Sequence, residues 1–145
     1  MNSKQFFYNF GKAMYHVDSF YDDFAKQSSI STTLLWVLYV LNDGNAHTQI
    51  EICKDWELPR NTVVKEIEKN GYIDLIPIKG KKREMNIVLT NLGKAYAEDV
   101  LSELYEIEAK VYDMLDANEK QVASMLNKIA ESLKESKEEK IDRKK

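Results

Sequence analysis

Tyr72-Ile73-Asp74-Leu75-Ile76-Pro77-Ile78, then Lys79-Gly80-Lys81-Lys82-Arg83, then Met85-Asn86-Ile87-Val88-Leu89 form the stretch that decides how this chain reads. The outer runs are rich in β-branched and aliphatic residues, and a glycine set between lysines supplies a turn. The pattern predicts a β-hairpin with four cations, Lys79, Lys81, Lys82 and Arg83, at its exposed tip. Cations carried there are suited to phosphates, or to a narrow minor groove where negative potential is high. The plain alternative is a solvated basic turn.

The residues before the hairpin favour the first reading. Pro59 suits the first turn of a helix running through Thr62, Val63, Ile67 and Lys69 to a stop at Asn70-Gly71. Ahead of it, Thr48-Gln49-Ile50-Glu51 fits a capping box, opening a helix with Ile50, Ile52 and Cys53 as apolar positions and Trp56 near its end. Two short helices joined by a tight turn through Glu57-Leu58 have the form of a helix-turn-helix. Upstream again, Leu34, Val37, Leu38 and Leu41 share a helix face that begins near Ser28-Ser29-Ile30-Ser31 and ends at Asn42-Asp43-Gly44. Phe6, Phe7, Phe10, Met14, Val17, Tyr21 and Phe24 recur at helical spacing and predict a long amphipathic helix with an aromatic stripe.

After the hairpin, Thr90 caps a helix carrying Leu92, Tyr96, Val100, Leu104, Ile107, Val111 and Leu115. At about 25 residues it spans roughly 38 Å. Asp116-Ala117-Asn118-Glu119 repeats the capping-box logic, and Val122, Leu126, Ile129 and Leu133 define a last helix. From Lys134 to Lys145 apolar residues almost vanish, which predicts a charged, disordered tail. The expected fold is therefore mainly α with a small β-hairpin wing. Residues 31–90 form the winged helix-turn-helix lobe, residues 1–30 and 91–133 supply long dimerisation helices, and 134–145 is the tail.

Composition narrows the function. The chain has 145 residues, 43% of them hydrophobic, enough to bury a core, and 31% charged. The formal net charge is -3, but residues 46–90 hold 8 Lys/Arg against 7 Asp/Glu, whereas both flanks are net acidic. Half of those central cations crowd into the hairpin, so distribution matters more than the sum. No apolar run is long enough to span a bilayer, and the first residues show no signal-peptide pattern, so no membrane contact and a cytoplasmic location are expected. Cys53 is the sole thiol, and His16 and His47 share no ligand spacing, so neither a disulfide nor a metal or other cofactor is expected. There is no nucleophile elbow and no glycine-rich phosphate loop, which argues against an enzyme.

The order of these elements resembles the MarR family of winged-helix regulators. The residues that carry the resemblance are Trp56-Glu57-Leu58-Pro59-Arg60-Asn61-Thr62-Val63 at the helix-turn-helix and Gly71-Tyr72-Ile73 entering the wing. Arg83 in the wing and Leu89-Thr90 followed by Gly93 complete it, and the resemblance covers about residues 5–133. Two features depart from the family pattern. Lys81 stands where an aspartate usually orients the wing arginine. The stretch Thr62–Gly71 is about three residues shorter than the usual reading helix, nearly one turn at 3.6 residues per turn.

The resemblance implies a homodimeric, DNA-binding transcriptional regulator, a repressor, reading a pseudo-palindromic site on double-stranded DNA. Arg60, Asn61, Thr62, Val64 and Lys65 are the candidates for base edges and nearby phosphates, and Lys79, Lys81, Lys82 and Arg83 for the wing. Family members often bind small aromatic effectors, for which His16, Trp36 and Tyr39 are the candidate lining; ordinary core packing of these side chains is the competing explanation. The rival function is a winged-helix dimer that serves as a protein-interaction module with weak or lost DNA binding.

Overall fold

Side chains that accept a hydrogen bond set where the helices begin. The computed structural model describes residues 1–58 and 71–144, in two units, Met1–Ser102 and Glu103–Lys145. Helix α1 spans Ser3–Gln27. Asn2 Oδ1 accepts the Gln5 N–H at 2.9 Å and Gln5 Oε1 accepts the Asn2 N–H at 3.1 Å, closing a capping box. Ser31 caps α2, Thr32–Leu41, through the Leu34 N–H at 3.0 Å. Thr48 caps α3, Gln49–Asp55, through the Glu51 N–H at 3.0 Å.

Both α1 and α3 end on the same device. Ser29 and Glu57 adopt left-handed φ values of 60° and 51°. The N–H of Ile30 reaches back to the Ala25 carbonyl at 3.1 Å, and that of Leu58 to the Cys53 carbonyl at 3.0 Å. This is the Schellman closure, in which glycine usually takes the left-handed position. At α3 it produces the turn expected through Glu57-Leu58. The helix predicted from Pro59 to Asn70 lies outside the described residues.

The hairpin forms as the alternation predicts. Strand β2, Ile73–Pro77, pairs antiparallel with β3, Met85–Leu89, with Ile73 opposite Leu89 and Pro77 opposite Met85. A further strand, β1 at His47–Thr48, pairs along the other side of β3, giving the order β1-β3-β2. Two residues carry no readable alternation, so β1 leaves no signal in the sequence. β3 is thus central and buries Ile87 completely. Pro77, with no N–H to donate, falls on an edge strand. The predicted α2 face of Leu34, Val37, Leu38 and Leu41 is buried, together with Phe24, Ile52 and Ile73.

A short latch joins the wing to α4, Asn91–Met114. Thr90 Oγ1 accepts the Gly93 N–H at 2.9 Å and donates to the Gly71 carbonyl at 2.8 Å, while the Thr90 N–H donates to the Tyr72 carbonyl at 2.9 Å. A Cβ on Gly93 would fall 1.9 Å from the Tyr72 oxygen. The Thr-x-x-Gly spacing is therefore a cap and a close approach in one.

In the second unit, Asp116 and Glu119 close the expected capping box, each backbone N–H bonded to the other's carboxylate at 2.9 and 2.8 Å. A 3-10 turn, Glu119–Gln121, then leads into α5, Val122–Lys144. Lys120 Nζ lies 4.1 Å from the centre of the Tyr112 ring. Residues 134–144 continue α5 as helix, where composition alone predicts disorder. Glu and Lys are good helix formers and stand at spacings that pair across one turn, so the backbone extends without burying anything.

Candidate nucleic-acid interface

The wing tip is built on one turn. The Ile78 carbonyl accepts the Lys81 N–H at 3.1 Å, and Gly80 takes the third position with φ 86°. That left-handed angle is what a type II turn requires and what glycine adopts without strain. Lys79, Lys81, Lys82 and Arg83 are all exposed. Lys81 Nζ pairs with Glu84 Oε2 at 2.9 Å, so part of its charge is matched within the loop. The structure thus brings the four predicted wing cations to one tip. Arg60, Asn61, Thr62, Val64 and Lys65 lie outside the described residues.

Two of the three proposed effector contacts come together. Trp36 stacks on Trp56 with ring centres 4.9 Å apart, and Tyr39 and Tyr21 lie 5.7 and 4.7 Å from Trp36. The cluster ties α1, α2 and α3. His16 is exposed on α1; five residues from Tyr21 is a rotation of about 140° around the helix, so it is not brought to these rings. Neither Tyr21 nor Trp56 stood out in the sequence as a partner of Trp36, because their contacts cross between elements.

Another grouping was missed. His47 Nε2 lies 2.8 Å from Asp43 Oδ2, and His47 Nδ1 lies 3.4 Å from Glu51 Oε1. Burial draws the imidazole pKa down, but hydrogen bonds and charge from Asp43 and Glu51 outweigh it, and the net shift is upward. The Asn45 N–H, 2.8 Å from Asp43 Oδ1, lowers the Asp43 pKa against some desolvation, and His47 adds to the lowering. The readable signal was the spacing Asp43, His47, Glu51, four residues at each step.

At the wing root, Tyr72 stacks nearly parallel on Tyr96, ring centres 4.2 Å apart, and the Tyr96 hydroxyl donates to the Ser28 carbonyl at 3.0 Å. Burial, with the nearby Tyr72 and Asp99, pushes the Tyr96 pKa up. Among the described residues, no helix is long and apolar enough to cross a membrane, and no cluster of three metal-ligating side chains is found.

A helix-turn-helix entry, a three-stranded sheet with a projecting basic hairpin, and long flanking helices define a winged helix of the MarR type. Solved structures place the chain in that class. A MarR family regulator from Neisseria meningitidis superimposes with a TM-score of 0.80 at 25% identity, covering 96% of this chain and 99% of its own. S. aureus MepR in its DNA-binding conformation gives 0.73 at 22% identity, covering 88% and 98%. NadR in complex with 4-hydroxyphenylacetate gives 0.67 at 14%, covering 86% and 89%. No family model and no curated protein matches the sequence.

Proposed function

We propose that the protein is a homodimeric DNA-binding regulator of transcription, acting as a repressor at a pseudo-palindromic site. The observation that carries this reading is the wing tip, where Lys79, Lys82 and Arg83 stand in solvent at the end of a two-stranded hairpin. The scaffold beneath it is shared with a regulator solved in its DNA-binding conformation. Such a tip suits phosphates or the minor groove, while Arg60, Asn61, Thr62, Val64 and Lys65 are assigned to base edges and adjacent phosphates in the major groove. The dimer is supported by apolar side chains left open on the helices. Phe7, Val17 and Phe20 of α1 and Val122, Met125 and Leu133 of α5 are each at least 40% exposed. Residues 1–30 and 91–133 are accordingly assigned to dimerisation, and 31–90 to the DNA-binding lobe.

Selection of bound duplexes from a random-sequence library, followed by affinity measurement at several salt concentrations, tests the reading. An inverted repeat whose affinity falls steeply with salt is expected. Recovery of no enriched sequence, with no salt-dependent binding, favours the protein-interaction alternative instead. The effector belongs to the same proposal, since NadR was solved with 4-hydroxyphenylacetate. Trp36 and Tyr39, which sit in the aromatic cluster with Tyr21 and Trp56, are the proposed contacts for a ligand of that chemistry, with His16 the outlying candidate. Titrating the protein with 4-hydroxyphenylacetate should quench tryptophan emission and weaken DNA binding together; an unchanged emission and affinity would remove the effector from the model.

A further inference from the structure

We infer that Asp43, His47 and Glu51 form a proton-operated clamp joining the end of α2, β1 and α3, closed when the imidazole carries both protons and slackened when it loses one. Its consequence is that the grip on DNA weakens as rising pH strips the second proton from His47. That consequence rests on the regulatory reading above; the clamp itself does not.

The geometry carries the argument. Asp43 lies two residues beyond α2, His47 is in β1, and Glu51 is in the first turn of α3. One carboxylate faces each ring nitrogen, at 2.8 and 3.4 Å. Ionised carboxylates only accept hydrogen bonds. An imidazolium donates from both nitrogens, whereas neutral imidazole donates from one and turns a lone pair toward the other carboxylate. Loss of the proton therefore replaces one attraction by a repulsion between acceptors. The His47 side chain is only 16% exposed, so solvent screens that change incompletely. Because the carboxylates approach opposite nitrogens, the three groups do not converge on one point where a cation would sit.

What the ring holds is placed to matter. His47 is paired with Ile87 of β3, and the next residue, Thr48, caps α3. A change at the imidazole is thus felt by the turn after α2, by the first turn of α3 and by the central strand of the wing. Lys94 and Glu98 of α4 line a cavity with Asn42, Gly44 and Asn45 of the turn after α2, but the charged groups that act on His47 are Asp43 and Glu51. β3 carries no charged residue between Met85 and Leu89, Glu84 before it is paired with Lys81, and α2 has no charged side chain. Lys54 and Asp55, the other charged residues of α3, are exposed.

The direction of the pH effect follows from the two shifts. The His47 pKa is raised on folding, so its contribution is complete below the ordinary histidine value of about 6.5 and is lost as pH rises through the raised value. The Asp43 pKa is lowered, so its contribution is present above the ordinary carboxylate range and is lost as pH falls through the lowered value. The clamp is strongest between those limits.

The chain has two histidines, which makes the test clean. In the full-length protein, the two imidazole Cε1–H resonances are assigned with His16→Gln and His47→Gln and followed against pH. The His47 midpoint should lie above about 6.5 and fall in Asp43→Asn, and further when Glu51→Gln is added. A midpoint at or below the ordinary value, or one unmoved by either change, overturns the clamp. A duplex selected by the protein from a random library is then titrated at about pH 6 and pH 8 at fixed salt. Wild type and His16→Gln should bind about fivefold or more tightly at the lower pH, and His47→Gln should show a ratio near one. An unchanged ratio in His47→Gln overturns the switch. A protein that binds no DNA at either pH overturns the coupling together with the reading it rests on, while the titration still decides the clamp.

Discussion

Arg83 concentrates the functional argument at the scale of a single residue. It is exposed on the wing tip, and its neighbour Lys81 is engaged with Glu84 at 2.9 Å. Arg83→Ala should weaken binding across many sequences by about 1–3 kcal/mol and flatten the salt dependence, as expected when one backbone or minor-groove contact is removed. Filter binding at several salt concentrations reads both; an unchanged slope would take the wing out of the interface. Lys82→Ala should act in the same direction, less strongly. Gly93 makes a structural prediction of equal sharpness. Its missing Cβ would lie 1.9 Å from a backbone oxygen, which no rotamer change relieves, so Gly93→Ala should destabilise the fold by roughly 2–4 kcal/mol. Urea denaturation gives the value, and a loss below about 0.5 kcal/mol would mean that α4 slides off the wing root at little cost.

Among the elements, local chemistry made most of the secondary structure legible and cross-element contacts did not show. Ser31, Thr48, Thr90 and the Asp116/Glu119 pair cap where they were expected, because a cap is a hydrogen bond between residues three apart. The hairpin was legible for the same reason, its turn glycine and β-branched flanks being contiguous. β1, the Tyr21/Trp36/Tyr39/Trp56 cluster and the Tyr72/Tyr96 stack were not, since each depends on a partner distant in sequence. Helical continuity through Lys144 was missed for a different reason: the absence of apolar residues removes a reason to pack, not the propensity to form a helix. On the proposed function Asn61, small and polar near the predicted helix start, would meet a base edge, and Lys65, one turn on, a phosphate. Asn61→Ala should cost about 1–3 kcal/mol on the selected site and little on random duplex, whereas Lys65→Ala should lower both. Equal losses on both duplexes for Asn61→Ala would mean that Asn61 does not read bases.

For the whole molecule the question is what covers the open apolar stripes. In α1, Phe6, Phe7, Met14, Val17 and Phe20 remain exposed along a helix of 25 residues, and only Phe24 and Ala25 are buried. In α5, Val122, Met125, Leu126 and Leu133 are likewise open. Soluble monomers seldom leave large contiguous apolar patches in water, and each aliphatic or aromatic side chain removed from it contributes about 1.5–3 kcal/mol when fully buried. On the proposed function the cover is a second copy of the chain: a two-fold dimer would set two wings at a spacing fixed by its symmetry, about 34 Å for consecutive turns of B-DNA. Sedimentation equilibrium should therefore show a dimer at micromolar concentration, independent of DNA. Truncation after Leu133 should leave that dimer intact, since the residues from Lys134 onward are charged except for a few and have almost nothing to bury. Replacing Phe7 and Val17 together by lysine should instead dissociate it, with the helix content of the 31–90 lobe retained. A folded, monodisperse monomer of the wild-type chain at that concentration would remove the symmetric readout, and with it the expectation of a pseudo-palindromic site.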